Sequence, residues 1–358
     1  MSLKHKSQSA LEYMMTYGWA ILVIVIVAAV LYSLGIFSPS SSLSTTVTGF
    51  SNLGSVTAEC FNGGGLVLSL GDSTGDPIEI TKINTTSQTG TPLSANFSTV
   101  ISPSGSVDFV VAGACSNTSG LSYSNDVTIT YTEPGQIFPG PYISSGRIRG
   151  TSSSSVGEVA SFDGSSSIII APLTFTESNF TFVAWQNYPS SNGGDMIITS
   201  NSVGSPYSWL RNSNSTSYDF SDYMFAPIGP TNSWNLVVVT DNPSVGTTLY
   251  LNGAVDKSVG YQNRGTSTYV DIGAWQCSNP VGYQGACQFY VGSLADIQIY
   301  NGSLTLPEIQ KLYQEGYGGA PVSNAGLIGW WPLDGNANDY SGYGNNAVVI
   351  HDIQWVSP

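Results

Sequence analysis

TLYLNGAV, residues 248–255, reads as two strand ends joined by Asn252-Gly253, a pair that adopts the positive φ angles of a two-residue hairpin turn. Upstream, WNLVVVTDN (234–242), NFTFVAWQ (179–186) and EVASFDGSSSIII (158–170) are runs of strand length, alternating or fully apolar. Downstream, FYVGSLADIQIYNGSLTLPEIQKLY (289–313) and LIGWWPLDGNANDYSGYGNNA (327–347) continue the pattern. The one good helix candidate in this region is Leu304 to Tyr313, with Pro307 early and Gly316 just past its end.

Towards the N-terminus, residues 46–148 hold shorter alternating runs: GLVLSL (65–70), PIEITKI (77–83), SVDFVVAG (106–113) and DVTITYT (126–132). Turn residues separate them at short intervals, which predicts an antiparallel β-sandwich. Residues 38–45 and the Ser-rich stretch 149–155 read as linkers on either side. Arg147 and Arg149 read as solvated, or as partners of nearby acids.

Composition supports secreted β structure. Only 9% of residues are charged and 41% are hydrophobic, with 20 Tyr, 13 Phe and 8 Trp, so the chain is no acidic disordered polymer. The net charge is −14, and the nine basic residues form no cluster outside the N-terminus, which excludes phosphate-neutralising nucleic-acid binding. The four cysteines form no CxxC pair; outside the cell they read as two disulfides, Cys60 with Cys115 and Cys277 with Cys287. Asn84, Asn96, Asn117, Asn179, Asn214 and Asn301 head Asn-x-Ser/Thr sequons that permit glycosylation.

The first 37 residues have their own logic. Lys4, His5 and Lys6 form a basic head, a mixed block follows (QSALEYMMTYG, 8–18), and Trp19 to Phe37 is nearly all apolar. As a helix that run would rise about 28 Å, close to a bilayer core, with the basic head inside and everything later outside. This order resembles the class III signal peptide of archaeal type IV pilin-like proteins. The resemblance implies that a prepilin peptidase cuts after Lys6-Ser7, leaving Gln8 as the N-terminus. It also implies that Glu12, fifth in the mature chain, pairs with a neighbouring copy's α-amino group during assembly of these or other pilins. A carboxylate beside an apolar helix needs such a partner. Residues 46–148 loosely resemble pilin and archaellin headgroups.

From 156 onward the quoted strands together resemble laminin-G/concanavalin-like jelly rolls. One departure matters: LIGWWPLDGNANDYSGYGNNA normally comes first in that family and comes last here. A truncated second copy would leave apolar strands unpaired. Circular permutation, joined through GYGGAPVSNAG (316–326), would not. The chain is thus read as mainly β: a signal peptide (1–7), a transmembrane or filament-core α-helix (8–37), a linker (38–45), a pilin-like β-sandwich (46–148), a linker (149–155) and a permuted jelly roll (156–358).

The resemblance implies a surface for carbohydrate or protein and, in some members, a structural Ca2+. Asp163, Asp296 and Asp339 offer oxygen ligands, although their Asp-Gly and Asn-Asp neighbours are equally turn chemistry. Trp209, Tyr218, Tyr223 and Trp275 fall in loop-like stretches and could stack on sugar rings, whereas Trp185, Trp234 and Trp330 read as core. No catalytic set is legible: the E-x-D-x-E strand of jelly-roll glucanases is absent. The only histidines are His5 and His351, and no nucleophile elbow lies near the latter. The expected role is a non-enzymatic adhesive subunit of a surface filament, lodged in the membrane before assembly. The alternative is an anchored lectin that never polymerises, and the least favoured reading is a secreted glycoside hydrolase.

Overall fold

A computed structural model describes Leu22, Val23, Val25, Ile26 and residues 45–358, apart from 52, 62–63, 117–119, 153–156, 190–194, 203–204, 215–216, 222–223, 263 and 278–282. Within this set one element is a helix of more than one turn, α1 (Leu306–Glu315), and no helix is long and apolar enough to cross a membrane. The expected architecture is corrected accordingly: the described protein is a nearly all-β structure with one short helix, and among the described residues the membrane-crossing helix expected over 8–37 is not found. Of that stretch only Leu22, Val23, Val25 and Ile26 are described, in helical conformation and all exposed; Lys6, Ser7, Gln8 and Glu12 lie outside the described residues.

The first module is built from β1 (Thr46–Thr48), β2 (Val56–Cys60), β3 (Leu66–Gly71), β4 (Ile78–Thr86), β5 (Pro92–Ile101), β6 (Ser106–Val111), β7 (Ser122–Thr132) and β8 (Tyr142–Thr151). A five-stranded sheet in the order β1-β8-β7-β4-β5 faces a three-stranded sheet in the order β2-β3-β6. Period-two alternation does the work. In β7, Tyr123, Val127, Ile129 and Tyr131 point into the core while Ser122, Ser124 and Asp126 stay exposed. The Cys60–Cys115 disulfide lies in this core, and residues 149–151, expected to begin a linker, are the end of β8.

The jelly roll comprises β9 (Val159–Asp163), β10 (Ile168–Thr176), β11 (Phe180–Asn187), β12 (Asp195–Ser202), β13 (Ser205–Asn214), β14 (Ser217–Phe220), β15 (Met224–Pro227), β16 (Asn235–Asn242) and β17 (Gly246–Leu251). It continues with β18 (Ala254–Val259), β19 (Thr266–Ile272), β20 (Trp275–Gln276), β21 (Ala286–Cys287), β22 (Val291–Tyr300), α1, β23 (Leu327–Trp331), β24 (Val349–His351) and β25 (Gln354–Val356). One sheet runs β15-β14-β13-β12-β19-β10-β24; the other runs β18-β17-β16-β11-β22-β9-β25, with β23 also on β22. Asn252 and Gly253 adopt positive φ between β17 and β18, as their hairpin requires. β25 lies antiparallel beside β9, with Trp355 opposite Ala160.

β11 is buried along both faces. Phe180, Phe182 and Ala184 fill the space between the sheets, while Val183 and Trp185 face an outer layer with Ile309 and Leu312 of α1. Glu308 of α1 accepts the backbone N–H of Thr305, closing a capping box at the helix start. The same outer layer takes in Val67 and Val110 of the first module, so Thr45–Pro358 is one compact unit. Contact between the modules is close. A Cβ on Gly65 would come within 2.3 Å of the Ala320 Cβ, and Asn324 bonds both Ala112 N and Val110 O on the β6 edge.

Candidate functional site

Four strands of the seven-stranded sheet place Ile170, Asp271, Thr199 and Trp209 in one transverse row, each opposite the next. Directly opposed residues share a sheet face. Val270, Ile272 and Leu210, their chain neighbours, belong to the interior core, so the row faces outward. Over it lie residues 274–277 and 283–289, whose Ala274, Ala286 and Phe289 pack on Ile168 and Ile170. Two features hold them down: the Gln276 backbone N–H donates to Asp271 Oδ2 at 3.0 Å, and Cys277 is bonded to Cys287. β20 pairs with β21 at their base.

This arrangement brings two of the predicted aromatics together. Trp209 and Trp275, both half-buried, stack with ring centroids 6.5 Å apart and planes 18° from parallel. Among the described residues, neither indole Nε1 nor the neighbouring Thr199 Oγ1 has a hydrogen-bond partner. Two positions along β13, on the same face, Arg211 bonds Asp219 with Nη2–Oδ2 at 2.7 Å. The site therefore offers an aromatic platform beside a locked ion pair, while the unpaired indole and hydroxyl donors are themselves buried.

The other predicted residues fall elsewhere. Tyr218 is corrected from ligand aromatic to core: it is fully buried between the sheets and accepts a hydrogen bond from Gln186 Nε2 at 2.5 Å. Tyr223 lies outside the described residues. Trp185 and Trp330 are buried as expected, while Trp234 is half-exposed. Asn96 and Asn301 are exposed, Asn84 and Asn179 half-buried, Asn117 lies outside the described residues, and the side chain of Asn214 is not described.

The three aspartates expected to offer Ca2+ ligands are not brought together. Asp163 accepts the backbone N–H groups of Ser165, Ser166 and Ser167; partial burial would raise its carboxyl, but the serine donors outweigh it and hold it well below the usual carboxylate range. Asp296 accepts Gln298 Nε2 at 2.9 Å and Trp330 Nε1 at 2.8 Å, and burial pushes it up to about 7. Asp339 accepts the backbone N–H groups of Trp330, Ser341 and Asn345 and the Ser341 hydroxyl; burial still raises it. Each carboxylate is engaged by N–H or O–H donors of its own surroundings. Among the described residues no group of three or more His, Cys, Asp or Glu could hold a metal ion.

One buried polar group had no sequence signal. Glu177, just past β10, accepts the Ser200 hydroxyl at 2.6 Å and that of Ser208. Burial pushes Glu177 up to about 7, against the pull of both serines and of Arg264. Arg264 stands 4.8 Å over the Phe220 ring and 3.7 Å from Asp241 Oδ2. In sequence, Glu177 lies in TFTESNF and reads as a solvated turn. On the first module, an open groove of about 640 Å3 is lined by Thr48, Thr128, Ser145 and Arg147. Its Arg147 is tied to Asp126 at 2.5 Å with both side chains about half-exposed or more, so it is a solvated strand face.

Residues 162–310 match the laminin-G type model described as the concanavalin A-like lectin/glucanases superfamily. That match begins after the first module and so lends nothing to the pilin resemblance. No curated protein matches the chain. A Bacteroides ovatus protein described as carbohydrate-binding shares 14% identity over 88% of this chain and 94% of its own, with a TM-score of 0.46. The receptor-binding domain of botulinum neurotoxin type G shares 18% over 43% of this chain and 46% of its own, at 0.28. A Trypanosoma rangeli sialidase shares 11% over 73% and 62%, at 0.31. The chain carries a concanavalin A-like jelly-roll domain.

Proposed function

We propose that this is an extracellular binding protein whose jelly roll takes a carbohydrate at Trp209 and Trp275. The observation that carries the reading is the stacked, half-exposed indole pair on the outward face of the sheet. Pyranose C–H faces pack on indole faces. Two disulfides fit an oxidising compartment. Binding is favoured over catalysis because the carboxylates of this face are engaged: Asp219 by Arg211, Asp271 by the Gln276 N–H. A glycan array probed with the full chain tests this. Wild type is expected to bind a restricted set of glycans, and Trp275→Ala to lose that binding by roughly tenfold or more. Binding to none, or equal binding by the variant, counts against the site.

A finer role, subunit of a surface filament, draws support from the Lys6-Ser7-Gln8 sequence and Glu12. Its partners would be further copies or other pilins and the processing peptidase. Mass spectrometry of sheared surface material tests it: a chain starting at Gln8 supports it, and an uncut chain found only in membranes leaves an anchored binding protein.

A further inference from the structure

The outer face of the eight-stranded sheet carries a second aromatic cluster, on the opposite side of the jelly roll from Trp209 and Trp275. Trp234, just before β16, stacks on Tyr317, just after α1, with centroids 4.4 Å apart and planes 18° from parallel. Tyr317 meets Trp185 of β11 edge-on at 6.2 Å, and Trp185 stacks on Tyr313 of α1 at 6.0 Å and 13°. Four rings from β11, the β16 approach and the helix end thus form one continuous stepped shelf. Tyr313 is 43% exposed, and Trp234 and Tyr317 are half-exposed.

Packing explains part of this cluster, since the rings dock α1 on the sheet. Packing does not explain its polar atoms. Trp185 is 4% exposed, yet its indole N–H has no hydrogen-bond partner among the described residues. Buried polar groups are nearly always paired. The phenol hydroxyls of Tyr313 and Tyr317 likewise make no hydrogen bond among the described residues. Beside the shelf, Asn252 and Asn235 form a side-chain amide pair at 3.1 Å, and Gly253 lies against Tyr313. The nearest charged pair on the helix, Lys311 and Glu315, is closed on itself at 3.5 Å.

We infer that this shelf is a second carbohydrate site, for a neutral hexopyranose chain. Ring geometry selects the ligand. A proline-rich peptide needs slots between separated aromatic rings, about 7 Å apart for one ring thickness on each side. Rings stacked at 4.4 Å leave no slot and present only their outer faces. A flat apolar face edged by the Tyr313 and Tyr317 phenols and the Asn235–Asn252 amides suits a pyranose, and the helix's Lys311 is already paired with Glu315. The inference stands independently of the Trp209–Trp275 reading, because different residues carry it.

The test uses the full chain labelled with 5-fluorotryptophan, with the Trp234, Trp185, Trp209 and Trp275 fluorine signals assigned by single Trp→Phe variants. Cellohexaose, chitohexaose and mannohexaose are titrated in turn, then decaproline. The expected result is that at least one hexasaccharide moves the Trp234 and Trp185 signals, that it does so equally in Trp209→Ala, and that Tyr317→Ala weakens this response by roughly tenfold. Tyr313→Phe, which keeps the ring, provides a gentler variant that should weaken it less. The inference is overturned if no hexasaccharide moves those signals, if Tyr317→Ala in a folded chain leaves the response unchanged, or if decaproline alone produces it. The Trp209 and Trp275 signals report the first site separately, so one can fail without the other.

Discussion

In the first module, Asp72 is the one carboxylate among the described residues with less than a tenth of its surface exposed; the jelly roll buries Glu177, Asp195, Asp219, Asp241, Asp271, Asp296 and Asp339. The two modules are both β-sandwiches with a disulfide each, and they are packed into one unit. What differs is how the interior is specified. The first relies on apolar alternation, with Ile80, Ile83, Phe109 and Ile129 filling its core. The jelly roll adds fixed polar groups that position loops: Asp271 holds down the segment bearing Trp275, and Asp339 organises the turn after β23. Buried carboxylates weaken a fold unless satisfied, so they mark places where geometry matters more than stability.

The largest expected effect separates the modules at these groups. Asp339→Ala would leave three backbone N–H groups without their acceptor in a closed site, at a cost of about 4 kcal/mol. Asp72→Ala removes only a local cap on Thr74 and should cost about 1 kcal/mol. Urea unfolding of the two variants checks the contrast; equal losses would break it.

A smaller effect follows from pH. Glu177 is pushed up to about 7 from an ordinary value of 4.5. Between those values the folded chain keeps a proton that the unfolded chain has lost. Its contribution is therefore fully present below pH 4.5, declines as pH rises to 7 and is gone above. The decline is on the order of 3 kcal/mol. Urea midpoints should fall from pH 5 to pH 8 in wild type and fall less in Glu177→Gln. A midpoint rising with pH would contradict the assignment.

The smallest effect belongs to the first module's surface. Arg147 and Asp126 pair in the open, where screening cancels most of the attraction. Asp126→Asn should leave the melting temperature within experimental error, and a large drop would show that this groove is more than a solvated face.

Sequence pattern revealed the strands, the hairpin at Asn252-Gly253 and helix α1, because each is encoded locally. It also offered Trp209 and Trp275 as candidate aromatics but gave no sign that they would stack, since β13 and β20 are brought together only by the fold. Tyr218 looks like a loop aromatic in sequence because the register that turns it inward, opposite Asn212, depends on strand pairing rather than on composition. The same limit hid the shelf: Trp234 and Tyr317 are far apart in the chain, and the helix that joins them looks like any amphipathic helix. Asn324 sits in a Gly/Ser/Asn stretch that reads as a linker, yet it completes the edge of β6. Local chemistry was legible; long-range pairing was not.

The most direct test is a crystal structure of the full chain with the strongest glycan from the array. The account predicts a sugar ring packed against the exposed faces of the Trp209–Trp275 pair. A glycan bound elsewhere, with that face bare, would contradict it.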